Sequence, residues 1–329
     1  MSLRIGVIGV GSLGVHHARL ARDLPGTSFA GIHDIDPDRR AQVEAELGVA
    51  SHAALDGLLD VADAVVVAVP TSAHERVAVA ALERGIHVLI EKPIAESLAA
   101  ADRILTAAAA GRALVQIGHV ERFNGALRAA EPYLDELLFV ESHRLAPFGP
   151  RGTDVAVVLD LMIHDLDLVL SLARREVTAI SAAGIPILTA SPDIANARLE
   201  FVGGGVANLT ASRVSLERLR KFRFFQPNGY ISLDLAAGKG EFLRLRPGVA
   251  LEPGRPAAAG SLEGLVERVE LVGDGREPLR VELESFVAAV QGETPVKVSG
   301  EDGRRALAAA LEIVERIEEH VAATNSARA

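Results

Sequence analysis

The stretch LRIGVIGVGSLG, residues 3–14, decides the fold of the first part of the chain. A short apolar, β-branched run leads into three glycines, and the residues that follow are typical of a helix. A strand, a GxGxxG turn and a helix in this order are typical of dinucleotide-binding folds. The glycines let the backbone approach a pyrophosphate, which then lies at the positive end of the helix. In this turn, the residues predicted to bind the cofactor are Gly9, Gly11, Ser12, Leu13 and Gly14.

An acidic residue follows at the spacing that this fingerprint needs. Asp34 ends the next strand-like segment, 20 residues after Gly14, where its carboxylate can accept hydrogen bonds from the adenosine ribose. The same negative charge would repel the 2′-phosphate of NADP, so the sequence predicts NAD as the cofactor. The alternative is a structural glycine turn with an incidental surface aspartate, and the strand-turn-helix context favours the cofactor site.

Strand-like and helix-like segments alternate with short turns up to about residue 118. This alternation predicts an α/β Rossmann domain with a doubly wound parallel sheet over residues 1–118. Strand-like segments then follow one another between residues 177 and 272, and two helical segments, 279–291 and 303–322, close the chain. We therefore predict an α+β substrate-binding and oligomerisation domain with a mostly antiparallel sheet over residues 119–329, whose C-terminal helix can pack back on the first domain.

Composition narrows the class of protein. The 329 residues are 49% hydrophobic and carry a net charge of −10, which is the balance of a globular protein with no general attraction to nucleic acid or anionic membrane. The absence of cysteine excludes disulfides and thiol nucleophiles. We find no signal peptide and no apolar run of membrane-spanning length, so the cytoplasm is the expected location.

A second motif follows the third apolar strand, at the sheet edge where open α/β sheets bind ligands. Val69, Pro70 and Thr71 end that strand, and His74 lies one turn into the next helix. These four residues are predicted to line the cofactor site. The alternative is a simple helix cap by Thr71 and Ser72, and both interpretations can hold together because a cap exposes amides toward the cofactor.

Glu91, Lys92 and Pro93 end the next strand at the same edge. A lysine in this place can stabilise a developing alkoxide, or its pKa can be lowered enough for it to transfer protons. The alternative for Lys92 is an ordinary surface lysine.

Asp160 and His164 are spaced four residues apart in an otherwise apolar helical segment, 155–172, so that both side chains lie on one face. Asp160 can orient the imidazole and raise its basicity, which leaves the other ring nitrogen to accept a hydroxyl proton. The alternative is a core histidine with structural partners only. No metal site is predicted, because His164 and Asp165 lack a companion histidine cluster.

Together these motifs resemble the glucose–fructose oxidoreductase, inositol dehydrogenase and MocA family over essentially the whole chain. The resemblance implies a Rossmann domain followed by an open, mostly antiparallel sheet domain, and NAD-dependent oxidation or reduction of sugar and cyclitol hydroxyl groups. It implies Lys92, Asp160 and His164 as catalytic residues, Glu91 near the nicotinamide ribose, and a cis bond between Lys92 and Pro93. It also implies a homodimer or homotetramer formed through the exposed sheet face.

Four stretches resemble a narrower branch, the UDP-N-acetylglucosamine 3-dehydrogenases: GHVERFN (118–124), DVAVVLDLMIHD (154–165), DIANARL (193–199) and NLTASR (208–213). Members of this branch form a 3-keto sugar that an aminotransferase aminates for lipid A. For such a substrate we predict that Arg151 and Arg213 bind the diphosphate, because guanidinium forks suit phosphate, and that Arg122 and Asn124 line the sugar. The alternative for each arginine, Arg144 included, is a solvated surface residue.

Three functional hypotheses remain. The first is a dehydrogenase of a nucleotide sugar, and the second is a dehydrogenase of a free sugar or a cyclitol such as inositol. The third, from another class, is a catalytically inactive NAD(H)-binding sensor, because a fold does not fix a function. The presence of Lys92, Asp160 and His164 together argues against the sensor.

Overall fold

The fold is taken from a computed structural model, and the structure describes residues 2–149, 155–246 and 262–328. The chain forms two compact units. The first unit contains Met1–Val120 and Glu277–Ala308, and the second contains Glu121–Arg276 and Ala309–Ala329. The first unit therefore extends two residues beyond the predicted boundary at residue 118, and it includes a segment from the end of the chain.

The first unit is built on six parallel strands in the order β3-β2-β1-β4-β5-β6. This is the strand order of a Rossmann fold, so the predicted fold class is confirmed. The strands are β1 (Leu3–Ile8), β2 (Thr27–His33), β3 (Ser51–His52), β4 (Ala64–Val67), β5 (His87–Glu91) and β6 (Val115–Gly118). The helices are α1 (Gly14–Arg22), α2 (Pro37–Leu47), α3 (Leu55–Leu59), α4 (Thr71–Leu82) and α5 (Leu98–Gly111).

The second unit is built on an eight-stranded sheet in the order β14-β13-β12-β11-β7-β10-β9-β8. Only β7 and β10 pair in parallel among these strands, which confirms the prediction of a mostly antiparallel sheet. The strands are β7 (Phe139–Leu145), β8 (Val177–Ile185), β9 (Ile194–Phe201), β10 (Val206–Ser212), β11 (Leu219–Gln226), β12 (Gly229–Asp234), β13 (Lys239–Leu245) and β14 (Val266–Val272). The helices are α6 (Gly125–Ala130), α7 (Ile163–Ala173) and α8 (Leu262–Leu265).

Two helices close the chain, α9 (Pro278–Val290) and α10 (Gly300–Arg328). The apolar side of α9 contributes Leu283, Phe286 and Val287 to the same buried core as Ile5 and Val7 of β1. The core of the first unit is thus completed by a helix that lies more than 150 residues further along the chain than the last strand of its sheet.

Two predicted helices are interrupted in the structure. The segment predicted as one helix near residues 121–134 consists of a 3-10 turn (Val120–Phe123), α6 and a second 3-10 turn (Glu131–Tyr133). Asn124 begins α6 as its cap, and Pro132 cannot donate a backbone hydrogen bond, so a continuous helix cannot form. The segment 155–172 begins instead with a π-helical turn (Val158–Met162) ahead of α7. Among the described helices, none is both long and apolar enough to span a membrane.

Candidate active site

The three glycines of the fingerprint have three different roles in the turn between β1 and α1. Gly9 has a φ of +84°, and a Cβ atom there would lie 2.8 Å from the carbonyl of Ala68. A Cβ on Gly14 would lie 1.8 Å from the carbonyl oxygen of Gly9. A Cβ on Gly11 would meet no atom of the described residues within 4 Å. Gly9 and Gly14 therefore shape the turn, whereas Gly11 leaves open space beside the backbone.

The N-terminus of α1 opens on this turn and fits a pyrophosphate. The helix begins at Gly14 after Leu13, its first turn has no acidic residue, and no described side chain caps its amides. Uncapped amides at the positive end of a helix are a binding site for an anion. The space beside Gly11 and these amides together fit the diphosphate of a dinucleotide.

Asp34 is held in place at the end of β2. One carboxylate oxygen accepts a hydrogen bond from Val10 N at 2.8 Å, and the other accepts from Asp36 N at 2.9 Å. Asp34 lines a cavity of about 340 Å³. Of the residues predicted to bind the cofactor, the cavity wall contains Gly9, Gly11, Asp34, Val69 and Pro70. Arg39 and Arg76 also lie in that wall, and the exposed side chain of Ile35 stands at it.

Thr71 and His74 belong to α4, behind the cavity wall. The helix begins at Thr71 with Pro70 as its cap residue, and no described side chain caps it, so the expected cap by Thr71 and Ser72 is not present. His74 is fully buried, with one ring nitrogen 3.0 Å from the carbonyl oxygen of Val69 and the other 3.0 Å from that of Pro93. Burial lowers the pKa of His74 although both carbonyls raise it. The ring links two sheet-edge motifs.

Lys92 follows β5 directly, and the bond between Lys92 and Pro93 is cis, as the resemblance implied. The backbone N–H of Lys92 donates to Glu91 Oε2 at 3.2 Å. This hydrogen bond fixes the backbone at Lys92 relative to the carboxylate of Glu91.

Glu91 is the centre of a buried cluster that we call the acid–histidine cluster: His17 on α1, Glu91 at the end of β5 and Glu282 on α9. Glu91 Oε1 lies 2.7 Å from His17 Nε2. Glu282 is fully buried, and neither of its carboxylate oxygens has a hydrogen-bond partner among the described residues. Potential ligand atoms of the three side chains lie within 4.8 Å of one another.

The pKa values of the two acids in the acid–histidine cluster are shifted in opposite directions. Burial raises the pKa of Glu91, but the hydrogen bond and charge of His17 and the charge of Lys92 outweigh it and lower this pKa overall. For Glu282, burial and the neighbouring negative charge of Glu91 both act to raise the pKa well above its usual value. These shifts favour the charged form of Glu91 and the neutral form of Glu282, and a neutral acid is a poor ligand for a cation.

Sequence reasoning missed two members of the acid–histidine cluster. No sequence motif points to His17, and Glu282 lies in a segment predicted only as a closing helix. A signal existed for Glu282, because it occupies the apolar stripe of α9, one helical turn from Leu279 and from Phe286.

Asp160 and His164 lie in the second unit at an irregular helix start. Asp160 is in the π-helical turn, and His164 follows in the first turn of α7. Such π turns are rare in proteins overall, and those that occur are often found at functional sites. Both side chains are partly buried.

An ion network anchors the start of α7. Arg144 of β7 donates to Asp165, with the shortest contact 2.7 Å, and to Glu121 Oε1 at 2.9 Å. Burial lowers the pKa of Arg144, but the two carboxylates raise it by more, so the guanidinium stays charged. Asp165 follows His164 in the chain, so this network fixes the backbone that carries His164.

The structure gives the predicted substrate-binding residues other partners. Both carboxylate oxygens of Asp167 accept hydrogen bonds from Arg122, at 2.6 and 3.0 Å. Asn124 is buried, caps α6 through Ala126 N, and donates to Glu121 and to the carbonyl of Leu235. These contacts give both residues partners within the fold, and their contact with a sugar stays a prediction.

Arg213 is also occupied. Its Nε donates to Asp193 at 3.0 Å, and Nη2 donates to the carbonyls of Val155 and Pro192. This buried pair holds a turn of the second unit, and the prediction that Arg213 binds a diphosphate stays untested. Arg151 lies outside the described residues.

Comparison with known proteins shows to which family the chain belongs. A model described as "Oxidoreductase family, NAD-binding Rossmann fold" matches residues 3–119, and a model of the GFO/IDH/MocA C-terminal domain matches residues 113–232. The chain belongs to the GFO/IDH/MocA oxidoreductase family. The predictions of this family, of an oxidoreductase and of NAD as cofactor are thereby confirmed.

Individual members of the GFO/IDH/MocA family are similar to different extents. UDP-N-acetylglucosamine 3-dehydrogenase of Acidithiobacillus ferrooxidans is 37% identical over 316 residues, which cover 94% of this chain and 96% of that protein. A solved structure of this relative has a TM-score of 0.89 at 36% identity and covers 97% of this chain and 99% of its own. Inositol 2-dehydrogenase 2 of Saccharopolyspora erythraea is 35% identical over 193 residues, 55% of this chain and 57% of that protein.

Proposed function

We propose that this GFO/IDH/MocA oxidoreductase oxidises the 3-hydroxyl of UDP-N-acetylglucosamine to a ketone with NAD. The observation that carries the substrate is the degree of similarity over the whole chain. The UDP-N-acetylglucosamine 3-dehydrogenase is 37% identical over 94% of the chain, whereas an inositol 2-dehydrogenase that also aligns over 94% of the chain is 29% identical.

The first unit supplies the cofactor site of the proposed reaction. The amides at the start of α1 and the space beside Gly11 receive the pyrophosphate, and Asp34 accepts hydrogen bonds from the adenosine ribose. When bound, NAD supplies the hydride acceptor for the oxidation. Lys92, at the end of β5, is placed at the sheet edge where such folds bind their ligands.

The proposed proton acceptor is His164. Its ring takes the proton of the sugar hydroxyl, Asp160 orients the ring and stabilises its charged form, and Lys92 stabilises the developing alkoxide. The roles of Lys92 and His164 can be exchanged, since a lysine with a lowered pKa also serves as a base. Rate measurements on variants of both residues separate the two assignments.

A coupled assay tests the substrate. Alcohol oxidation by NAD is uphill near neutral pH, so an aminotransferase and an amino donor are added to remove the ketone. UDP-N-acetylglucosamine is compared with free N-acetylglucosamine, glucose and myo-inositol, and the product is identified by mass. Of these four compounds, we expect only UDP-N-acetylglucosamine to be turned over. Turnover of a free sugar or of inositol without the nucleotide sugar would overturn the substrate, and NADH binding without turnover of any compound would favour the inactive sensor.

We further propose the cytoplasm as the location, a homodimer or homotetramer as the working form, and an aminotransferase of lipid A synthesis as the consumer of the ketone. The net charge of −10 supports the absence of nucleic-acid and membrane partners. On the partly exposed face of the eight-stranded sheet, Phe225 packs against Phe139 and Tyr230, with ring centroids 5.8 and 4.7 Å apart. An aromatic group on a broad sheet face supports self-association there.

A further inference from the structure

Two arginines of the second unit lie side by side on neighbouring strands. One is near the end of β7 and contacts α7, and the other is near the start of β11. Arg220 of β11 is paired in register with Arg144 of β7. Arg144 is almost fully buried in its network with Glu121 and Asp165, whereas the side chain of Arg220 is 41% exposed. Arg218 directly precedes β11 and is exposed. Arg220 therefore borders both the buried network and the solvent.

Positive charge is in excess at this place. The charges that act on Arg220 are those of two arginines, Arg144 and Arg218, and of two acids, Glu121 and Asp165. Asp165 is paired with Arg144, and Glu121 also accepts a hydrogen bond from Arg144 at 2.9 Å. Arg220 shares the same Glu121 oxygen at a longer distance, 3.3 Å. Burial lowers the pKa of Arg220, and the charges of Arg144 and Arg218 add to that effect.

The excess is confined to one face of β11. On the other face, Lys221 pairs with Asp234 at 3.1 Å and Arg223 pairs with Glu141 at 2.9 Å. Each of these cations has a carboxylate of its own across the strand. Among the described residues, Arg220 has only the shared oxygen of Glu121, and Arg218 has no carboxylate partner. Three positive charges that share two carboxylates repel one another, and an anionic ligand would relieve this repulsion.

We propose that Arg220, assisted by Arg218, binds the diphosphate of the nucleotide-sugar substrate. The inference rests on the proposed function and names two arginines that are more accessible than Arg213, whose guanidinium is buried against Asp193 and two carbonyls. Glu121 links Arg220 to Arg144, and Arg144 binds Asp165, the residue after His164, so the phosphate subsite and the proposed proton acceptor are anchored in one network. A neutral cyclitol would leave the excess charge uncompensated.

Binding of UDP to the purified, intact protein tests the subsite without turnover. We expect that Arg220→Met weakens UDP binding by at least about tenfold, which corresponds to loss of a charged hydrogen bond of about 1.4 kcal/mol. Arg218→Met weakens it less, because that side chain is more exposed. The matched control is Arg223→Met, which removes an arginine from the same strand on the opposite face and should leave UDP affinity within about twofold. Thermal unfolding and NADH binding verify that each variant is folded.

The outcomes separate this inference from the proposed function. Arg220→Met with unchanged UDP affinity, or a wild-type protein that does not bind UDP, would overturn the subsite. If Arg220→Met does not fold, Arg220→Lys is measured instead, and affinity retained at the wild-type level would also count against the guanidinium contact. Binding of UDP-N-acetylglucosamine that depends on Arg220 but yields no NADH keeps the subsite and overturns the 3-dehydrogenase. Turnover of UDP-N-acetylglucosamine with a KM that Arg220→Met leaves unchanged keeps the 3-dehydrogenase and overturns the subsite.

Discussion

His164 is the residue on which the proposed proton transfer depends. We expect His164→Ala to lower kcat by about 10² to 10⁴, the usual contribution of a general base, and to leave NADH binding nearly unchanged, because the cofactor cavity lies within the first unit. His143→Ala is the control, since His143 lies in β7 on the opposite face from Arg144. If Lys92→Met loses far more activity than His164→Ala, the two roles must be exchanged.

Asp34 is the residue to which we assign the preference for NAD over NADP. Its carboxylate is fixed by Val10 N and Asp36 N at the cavity wall, so its negative charge cannot swing away from a 2′-phosphate. We expect the wild type to prefer NAD and Asp34→Ala to reduce that preference, measured as the ratio of kcat/KM for NAD and NADP. Asp38→Ala, on the first turn of α2, serves as a control of equal charge change. Equal use of both cofactors by the wild type would contradict the assignment.

Glu282 gives the folded state a pH dependence of known sign. Its pKa is raised in the folded state, so the folded protein keeps a proton that the unfolded chain releases above about pH 4.5. Stability is therefore lost as pH rises from there toward the folded pKa, by up to about 1.4 kcal/mol per pH unit. Glu282→Gln keeps the shape without the titration.

Urea unfolding between pH 5 and pH 8.5 measures this effect. We expect Glu282→Gln to gain stability relative to the wild type as pH increases. Glu284→Gln is the control, because Glu284 lies on the same helix with a partly exposed side chain. Parallel stability curves for Glu282→Gln and the wild type would show that the acid is not neutral in the fold.

Residue types in a motif could be predicted where the chemistry is local to the sequence. Gly9, Gly11 and Asp34 could be grouped from fingerprint spacing and a strand end, and the structure places them in one cavity wall. The ion pair of Arg213 could not be predicted, because its partner Asp193 lies 20 residues away and only the fold brings the two side chains together. A long-range ion pair leaves no periodic signal.

At the scale of the element, the glycine turn can be tested by one pair of substitutions. Gly14→Ala places a methyl 1.8 Å from the carbonyl oxygen of Gly9, so the helix must shift, and we expect a loss of about 1–3 kcal/mol in the free energy of unfolding. Gly11→Ala meets no described atom, so stability should change by less than about 0.5 kcal/mol.

For cofactor binding we expect a marked effect from Gly11→Ala, the substitution that changes stability least. A methyl at residue 11 occupies the space proposed for the pyrophosphate, and we expect the Kd for NADH to rise by about tenfold or more. Calorimetric titration and thermal unfolding on both variants give the two quantities. Unchanged NADH affinity in Gly11→Ala would contradict the placement of the pyrophosphate.

Strand and helix order followed from the sequence because alternating burial has a period that the chain reveals, as in β9, where every second residue is buried. The breaks near residues 124 and 158 were not predicted. A π turn has no characteristic composition, and the buried network of Arg144 that fixes the following helix involves residues from other elements. Irregular backbone of this kind is specified by tertiary contacts.

At the scale of the whole molecule, assembly is the property that remains to be measured. The proposed interface includes Phe225, which is 37% exposed within its aromatic group. We expect Phe225→Asp to convert the oligomer to a smaller species in native mass spectrometry and light scattering. Val202→Asp adds the same charge at an exposed turn and should leave assembly unchanged. A wild-type monomer, or an oligomer that tolerates Phe225→Asp, would remove this face from consideration.

The late arrival of α9 in the core of the first unit has a consequence for biosynthesis. Leu283 and Phe286 are made long after β6, so a nascent chain carries the parallel sheet with one apolar wall uncovered. At about 5–20 residues per second, the ribosome needs about 10 to 30 seconds to travel from the end of that sheet to the end of α9. Throughout that interval the growing polypeptide exposes a hydrophobic surface to chaperones, and the first unit is finished only after most of the second unit has been made.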